Sequence, residues 1–396
     1  MRVVGPGILV AVGYMDPGNW ATGIAAGSQF GYQLGWVILA SSTVAVLLQV
    51  LSARIGIVTG QDLVGLGYTY FGRWGGGFLG LTALTAIIAT DLAEVLGFAL
   101  ALNLLFGLPL TAGAFLALVE TLLVLSWTGR RPHLLEALVG LLTLGIVGIF
   151  VYELWLLRPA AAEIGQSLLP NGLIFRDAEA LYLALGLIGA TIMPHNLYLH
   201  SAWARGHFRG PEGFRALTID TLRSLGLAFF VNIALLWTAA TLQLHTPEST
   251  TTGWGITEAY YLFEPTLGSA AAGIAFGIAL LLAGHNATLT STLAGQIVLE
   301  HLIPQRLSPT WRAILVRSAA IVPATLALLI WGQNHLNNLL VWSQVVLSLQ
   351  LPFVLLPMLF ILWKLPAVGI SRWTYGLAAT ISLGIISLNL LLLWRV

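Results

Sequence analysis

Two short stretches carry residues whose types and spacing suit ion chemistry: Asp16-Pro17-Gly18-Asn19 and Met193-Pro194-His195-Asn196. Each sits inside an apolar run long enough to cross a bilayer. A carboxylate at membrane depth is costly and is seldom kept there without a role. Proline removes a backbone donor, and glycine resists helical order, so each helix should break at these points. A break frees backbone carbonyls, which hydrocarbon cannot satisfy and which persist only where they line a cavity or bind something. Together the breaks offer the Asp16 carboxylate, the Asn19 and Asn196 carboxamides, the Met193 thioether and loose carbonyls, Ala190 among them one turn before Met193. Thioether sulfur is soft and favours late divalent ions over Mg²⁺ and Ca²⁺, which want oxygen shells. The set therefore suits a divalent transition metal. Asp16 also reads as a cap for the half-helix after Pro17, and the two roles are compatible.

The helices that hold these groups must lie in a membrane. Of 396 residues, 58% are hydrophobic and only 8% charged, against about 25% charged in ordinary soluble domains. The apolar segments are long and do not alternate, which excludes a barrel. Cysteine is absent, so thiolate metal sites and disulfides are excluded. A net charge of +1 without a basic tract gives no reason to expect nucleic acid as a partner. The first apolar run continues into Asp16 and reads as a retained helix rather than a signal peptide.

At about 20 residues per crossing, the sequence predicts eleven spans. They lie near 3–26, 32–57, 77–106, 110–129, 134–157, 180–204, 218–244, 268–301, 313–331, 336–363 and 372–394. A polar loop is expected from Arg158 to Glu179. Of the 17 Lys and Arg, only Arg158, Arg176 and Arg395 fall outside when the N-terminus is cytoplasmic, a strong positive-inside bias. The loop from His245 to Glu264, acidic and without Lys or Arg, then faces outward, as does the C-terminus. The break of the first span recurs in the sixth. Five is odd, so the second unit enters the membrane inverted, the mark of a secondary transporter. The expected organisation is an inverted repeat at 1–157, an extracellular loop at 158–179, a second repeat at 180–363 and a peripheral eleventh helix at 364–396.

Further polar groups lie at membrane depth. Asp91 and Glu94 share one face of the third span, and their repulsion calls for a proton or a cation. Arg312 and Arg317 are the available cations. The pair reads either as a static salt-bridge network or as a proton path from Asp16 past His195. His195 is a proton carrier or a hydrogen-bonded core residue, and His200 reads as structural. Gln344 and Asn232 either face the ion or bridge helices. Glu120 has no assigned role, and His285-Asn286 is an unusual polar pair.

The sequence resembles the Nramp family (natural resistance-associated macrophage proteins). The resemblance rests on Asp16 to Asn19, Gly189 to Asn196, Thr90 to Glu94, Gly60-Gln61-Asp62-Leu63, Leu293-Ala294-Gly295-Gln296 and Trp342-Ser343-Gln344, and it covers nearly the whole chain. It implies an all-α LeuT-type fold that imports Mn²⁺ or Fe²⁺, and also Cd²⁺ or Co²⁺, driven by protons. By position it implies Asp16, Asn19, the Ala190 carbonyl and Met193 as ligands, joined by Gln344 in some states. His195, Asp91, Glu94, Arg312 and Arg317 would then form the proton route. Metal and proton are substrates, no resident cofactor is expected, and the chain is expected as a monomer among lipids of the cell (inner) membrane. His285-Asn286-Ala287 departs from the Gln-Ser-Ser expected in the eighth span and touches the proton coupling; His285 and Asn232 are possible additions to the site.

Other functions fit less well. A sodium-coupled amino-acid carrier of the same fold would place a substrate carboxylate against Asp16. A channel does not need paired broken helices. An intramembrane metalloprotease would need a His-Glu-x-x-His site, which the sequence lacks.

Overall fold

The computed structural model describes residues 6–128, 132–208, 210–244, 254–267, 270–303, 308–331 and 335–395. Arg2, Arg130, Arg131, Arg209 and Arg306, which contribute to the orientation argument, lie outside these ranges, as does the loop from His245 to 253. Among the described residues the chain is helical and has no strand.

The helices are α1 (Pro6–Gly13), α2 (Pro17–Phe30), α3 (Gly35–Thr59), α4 (Leu63–Phe106), α5 (Leu110–Thr128), α6 (Pro132–Leu157), α7 (Ala161–Ser167), α8 (Leu173–Arg176), α9 (Ala178–Ile192), α10 (Pro194–Trp203), α11 (Gly210–Leu244), α12 (Ile256–Leu267), α13 (Ala270–Leu302), α14 (Pro309–Trp331), α15 (Leu336–Lys364) and α16 (Arg372–Arg395). With α1 and α2 as one broken span and α9 and α10 as another, the helices fall at the eleven expected positions; among the described residues eight helical runs are long and apolar enough to cross a membrane, the run from Pro17 to Thr59 counting as one. Both breaks fall where proline and a polar neighbour interrupt the apolar run.

Three departures from the sequence reading are local. The loop after Arg158 contains the short helices α7 and α8, and the loop after His245 contains α12. Apolar residues of α12, Ile256, Ala259 and Phe263, are buried, and this amphipathic face was hidden by flanking polar residues. Finally, α4 starts well before its span and bends at Gly72, which holds φ 69°, a conformation open to glycine at little cost.

The broken spans occupy the middle of the bundle. Leu9, Val10, Ala11, Leu185, Leu197 and Leu199 are fully buried. Around them α2 packs on α11 and α9, α15 on α9 and α4, and α13 on α4. At Gly97 a Cβ would overlap the Pro17 ring, so α4 reaches the first break only because this position is glycine. By contrast, α16 packs on α15 and α9 at the periphery and exposes Leu383, Leu390 and Trp394.

The two faces of the bundle differ. One face opens into a cavity of about 810 Å³ lined by residues of α2, α9, α14 and α15, with Trp254, Glu179, Tyr182 and Trp342 among them. On the opposite face, α1 is held by the Gly7 N–H, which donates to Asp220 Oδ2 at 2.6 Å.

Candidate functional site

The first break is built by Asp16. Its backbone is extended (φ −68°, ψ 163°) and its Oδ1 accepts the Asn19 N–H at 2.7 Å, capping α2. The cap uses one carboxylate oxygen, and Oδ2 is buried without a hydrogen-bond partner among the described residues. Asn19 donates through Nδ2 to the Tyr14 carbonyl at 2.6 Å, which turns its Oδ1 away, likewise buried and unpartnered. Trp20 backs the break: its indole N–H donates to the Met15 carbonyl at 3.1 Å, and its ring meets Phe150 edge-on and Phe276 at a tilt, with centroids 5.0 and 5.1 Å away.

The second break is built by Met193, which holds φ 46°, a left-handed conformation that costs a side-chain-bearing residue on the order of 1–3 kcal/mol. The turn releases the carbonyl of Ala190, since the residue four positions on is Pro194 and has no N–H. Asn196 Nδ2 reaches both Met193 Sδ at 3.4 Å and the Val10 carbonyl at 3.3 Å, linking α10 to α1.

Gln344 on α15 closes the group. A Cβ on Gly18 would overlap its amide nitrogen, so glycine in the first motif admits this side chain against the break. Gln344 Nε2 donates to Ser343 Oγ at 3.0 Å, leaving Oε1 buried and unpartnered. Asp16 Oδ2, Asn19 Oδ1 and Gln344 Oε1 are three buried oxygens without donors at or against the first break, and the second break holds a fourth, Asn196 Oδ1, together with a thioether and a freed carbonyl. Buried polar atoms are rarely left so, and this donor chemistry suits a cation. Among the described residues no three His, Asp or Glu side chains converge. One carboxylate with neutral partners suits an ion that must leave again.

Asn232 belongs to this neighbourhood as well. Its Nδ2 donates to the Tyr14 carbonyl at 2.9 Å and its Oδ1 lies 3.4 Å from Asn19 Nδ2. It orients Asn19 and bridges helices at the same time.

From the second break a line of titratable groups runs into α4. His195 Nδ1 lies 3.3 Å from Thr90 Oγ1, beside Asp91. Arg317 Nη1 stands 3.1 Å from Asp91 Oδ1 and 3.0 Å from Glu94 Oε2, and its Nη2 donates to the Thr288 carbonyl at 3.0 Å. Ser291 donates to Glu94 at 2.7 Å. All three charged groups are buried. Arg312 does not join them; it lies nearer the helix end and pairs with Glu300 at 3.5 Å. His285 stands apart from the breaks and pairs with Glu120.

Sequence reasoning missed Tyr14 and Gln49. His200 Nδ1 contacts Gln49 Oε1 at 2.9 Å, Gln49 Nε2 donates to the Tyr14 hydroxyl at 2.6 Å, and that hydroxyl donates to the Ile192 carbonyl at 3.1 Å. The only hint in the sequence was a tyrosine two residues before Asp16. Also missed was a cluster on the face opposite the cavity. Asp62 caps α4 through the Gly65 N–H at 2.9 Å, and it meets His301 Nε2 at 3.1 Å and Arg205 at 3.8 Å. Burial alone would raise the Asp62 carboxyl; the His301 hydrogen bond, the Gly65 N–H and the His301 and Arg205 charges outweigh it and hold the carboxyl below its usual range.

Known proteins resemble this chain over its length. A protein of Listeria innocua named "Divalent metal cation transporter MntH" is 42% identical over 99% of this chain and 89% of that protein. The structure of an Eremococcus coleocola manganese transporter superposes with a TM-score of 0.87 at 33% identity, covering 99% of this chain and 85% of that one. MhsT, solved with L-phenylalanine, shares the fold at a TM-score of 0.67 and 17% identity, covering 98% and 100%. The family described as natural resistance-associated macrophage protein-like matches residues 7–395. With these motifs in place on this fold, the chain belongs to the Nramp family.

Proposed function

We infer that the chain imports divalent transition-metal ions, Mn²⁺ or Fe²⁺ with Cd²⁺ and Co²⁺ also accepted, together with protons and by alternating access. It is a multi-pass membrane transporter and not an enzyme. The observation that carries the reading is the set of donorless buried oxygens on Asp16, Asn19 and Gln344 beside Met193 and the Ala190 carbonyl. The relatives named as divalent metal cation and manganese transporters support the metal.

In this reading the cavity face is extracellular and the Asp62 face cytoplasmic, in a chain of the cell membrane whose N-terminus is inside. The inverted units at 1–157 and 180–363 rock against each other around the two breaks. The ion enters from the cavity, sheds water and takes the freed oxygens and sulfur. Its charge is balanced by Asp16, whose proton passes by His195 toward Asp91 and Glu94, one of which takes it up while Arg317 keeps the other ionised. The protein works as a monomer with no resident cofactor. An amino-acid substrate is not favoured, because Asp16 would repel its carboxylate.

Purified protein in liposomes, given a panel of divalent ions while internal pH is recorded, tests the reading. Saturable uptake of Mn²⁺, Fe²⁺, Co²⁺ and Cd²⁺ with internal acidification is expected. Uptake without acidification would remove the proton from the scheme; uptake of an amino acid with Na⁺ would replace it.

A further inference from the structure

A second cavity, of about 390 Å³, opens on the Asp62 face, and no residue of either break lines it. Its size falls within the roughly 300–1,000 Å³ of small-ligand sites. Three elements wall it: the end of α10 with the turn that follows, α13, and the first turn of α14. The first brings Trp203 and Arg205, the second Glu300 with the apolar Leu293 and Ile297, and the third Arg312.

The wall carries two guanidiniums against one carboxylate, and arginine stays charged in proteins. Arg205 is fixed in place, because its Nη1 donates to the Gly60 carbonyl and its Nε to the Ala202 carbonyl, both at 3.0 Å. Its acidic neighbour Asp62 stands 3.8 Å away and already holds His301 and the Gly65 N–H. The Arg312 side chain is 13% exposed, and its one ion pair among the described residues is to Glu300 at 3.5 Å, a side chain 59% exposed. Exposed pairs of this kind hold loosely, so Glu300 can turn to water and leave the Arg312 donors to a ligand. The Trp203 indole N–H is buried and has no acceptor among the described residues, a condition that is rare without a ligand or water to satisfy it. These groups all donate, and a cation entering here would meet two fixed positive charges. The cavity suits an oxyanion.

Its depth narrows the choice. Trp311, next to Arg312, is exposed, and so are Leu315, Val322 and Leu329 of the same helix. At 3.6 residues per turn these four fall on one stripe. An exposed tryptophan at the end of a lipid-facing stripe marks the membrane–water interface, so Arg312 sits at headgroup level. Basic pockets between spans at the cytoplasmic surface take the headgroups of anionic lipids. We propose that this cavity binds the phosphodiester of an anionic lipid, held by Arg205, Arg312 and the Trp203 N–H. Free phosphate offers the same oxygens, and the interfacial depth favours the lipid. One phosphate in this place joins the end of the second broken span to α14 and stabilises this arrangement of the bundle. The site is independent of the ion carried, and only the choice of leaflet rests on the orientation given above.

The test follows the melting temperature of the full chain in neutral detergent as phosphatidylglycerol, phosphatidylcholine or inorganic phosphate is added. Phosphatidylglycerol should raise it saturably, as a ligand of the folded state does, and phosphatidylcholine should act far more weakly. The half-saturating phosphatidylglycerol concentration should rise roughly tenfold in Arg312→Gln, which loses a charged donor, and by about fivefold in Trp203→Phe, which loses a neutral one. Arg372→Gln, which removes an exposed arginine at the start of α16, should bind like the native protein. If Arg312→Gln does not fold, Trp203→Phe, which keeps an aromatic ring and every charge, decides. Equal action of the two lipids, native affinity in Arg312→Gln, or the same loss in Arg372→Gln as in Arg312→Gln overturns the site. Inorganic phosphate that displaces phosphatidylglycerol at similar concentration overturns the lipid and assigns the cavity to a soluble phosphate. None of these readings involves metal or proton flux, so the site and the transport reading fail separately.

Discussion

The Tyr14 hydroxyl donates to the Ile192 carbonyl at 3.1 Å, so a side chain of the first break fastens the backbone of the second. The same residue's carbonyl takes Asn19 and Asn232, and its hydroxyl accepts from Gln49. The pin holds the first break against the end of α9 in one relative position.

Tyr14→Phe should loosen that packing. It strands the Ile192 carbonyl and the Gln49 amide, at about 1–3 kcal/mol for each buried group left unsatisfied. The chain has no cysteine, so Ala11→Cys, at a fully buried position of α1, gives a single label. Maleimide labelling of Ala11→Cys from the Asp62 face should rise roughly 5- to 30-fold when Tyr14→Phe is added. An unchanged labelling rate would show that the pin does not keep this face closed.

Asp16→Ala should abolish uptake of every divalent ion, because a dication without a carboxylate is uncompensated in a low-dielectric surround. The variant also loses the α2 cap, at about 1 kcal/mol, so it should remain foldable. Saturable Mn²⁺ uptake at the native rate by folded Asp16→Ala protein would remove Asp16 from the site.

Met193→Ala should retain Mn²⁺ uptake in weakened form, lose most Cd²⁺ uptake and admit Ca²⁺ more readily, as oxygen takes the place of sulfur. Met193→Gly should share the selectivity change and be about 1 kcal/mol more stable than Met193→Ala, since both lose the buried side chain and glycine adopts φ 46° at little cost. A Cd²⁺-to-Ca²⁺ preference untouched by either substitution would exclude the thioether as a ligand.

Asp62 gives a pH signature on the opposite face. Its carboxyl is held below the ordinary 3.8, so it stabilises the fold fully above that value. The contribution fades as pH falls below about 3.8 and through the lower folded value. Native protein in detergent should therefore lose melting temperature across that acid window. Asp62→Asn should melt lower at neutral pH, by about 1–2 kcal/mol, and show a flatter decline there. Equal declines in the two proteins would mean that the contacts with His301 and Arg205 add no stability.

Asp91→Asn should reduce proton flux well beyond metal flux, because Arg317 then faces Glu94 alone while the ligands at the breaks are untouched. Side-by-side flux measurements decide this. A constant proton-to-metal ratio in Asp91→Asn and Glu94→Gln would identify the cluster as a static brace.

The spans and the two breaks were readable because each depends on local chemistry. Twenty apolar residues can only cross, and a proline beside a buried acid can only interrupt. The third dimension was much less legible. In lipid a helix is apolar on every side, so nothing in the pattern of α14 showed that Arg317 turns inward to Asp91 while Arg312 turns to Glu300. The tie from Tyr14 to Ile192 spans 178 positions and joins two groups that are each unremarked in sequence. Asn232 could be read as a bridge or as a neighbour of the ion, and its two contacts make it a bridge from α11 to the first break. His285 was visible as an oddity, but its partner Glu120 on α5 was not.

In the alternating-access cycle proposed above, the cavity of about 810 Å³ also carries an osmotic term. It has room for a few dozen waters, and closing it must return them to bulk. An impermeant osmolyte on that side, too large to enter, performs work on this volume. It should favour the closed arrangement in proportion to its osmotic pressure, whatever ion is carried. In that proposed cycle water activity would bias the arrangement as pH does, and metal uptake by a cell in concentrated surroundings would be throttled at the vestibule before any ligand is reached.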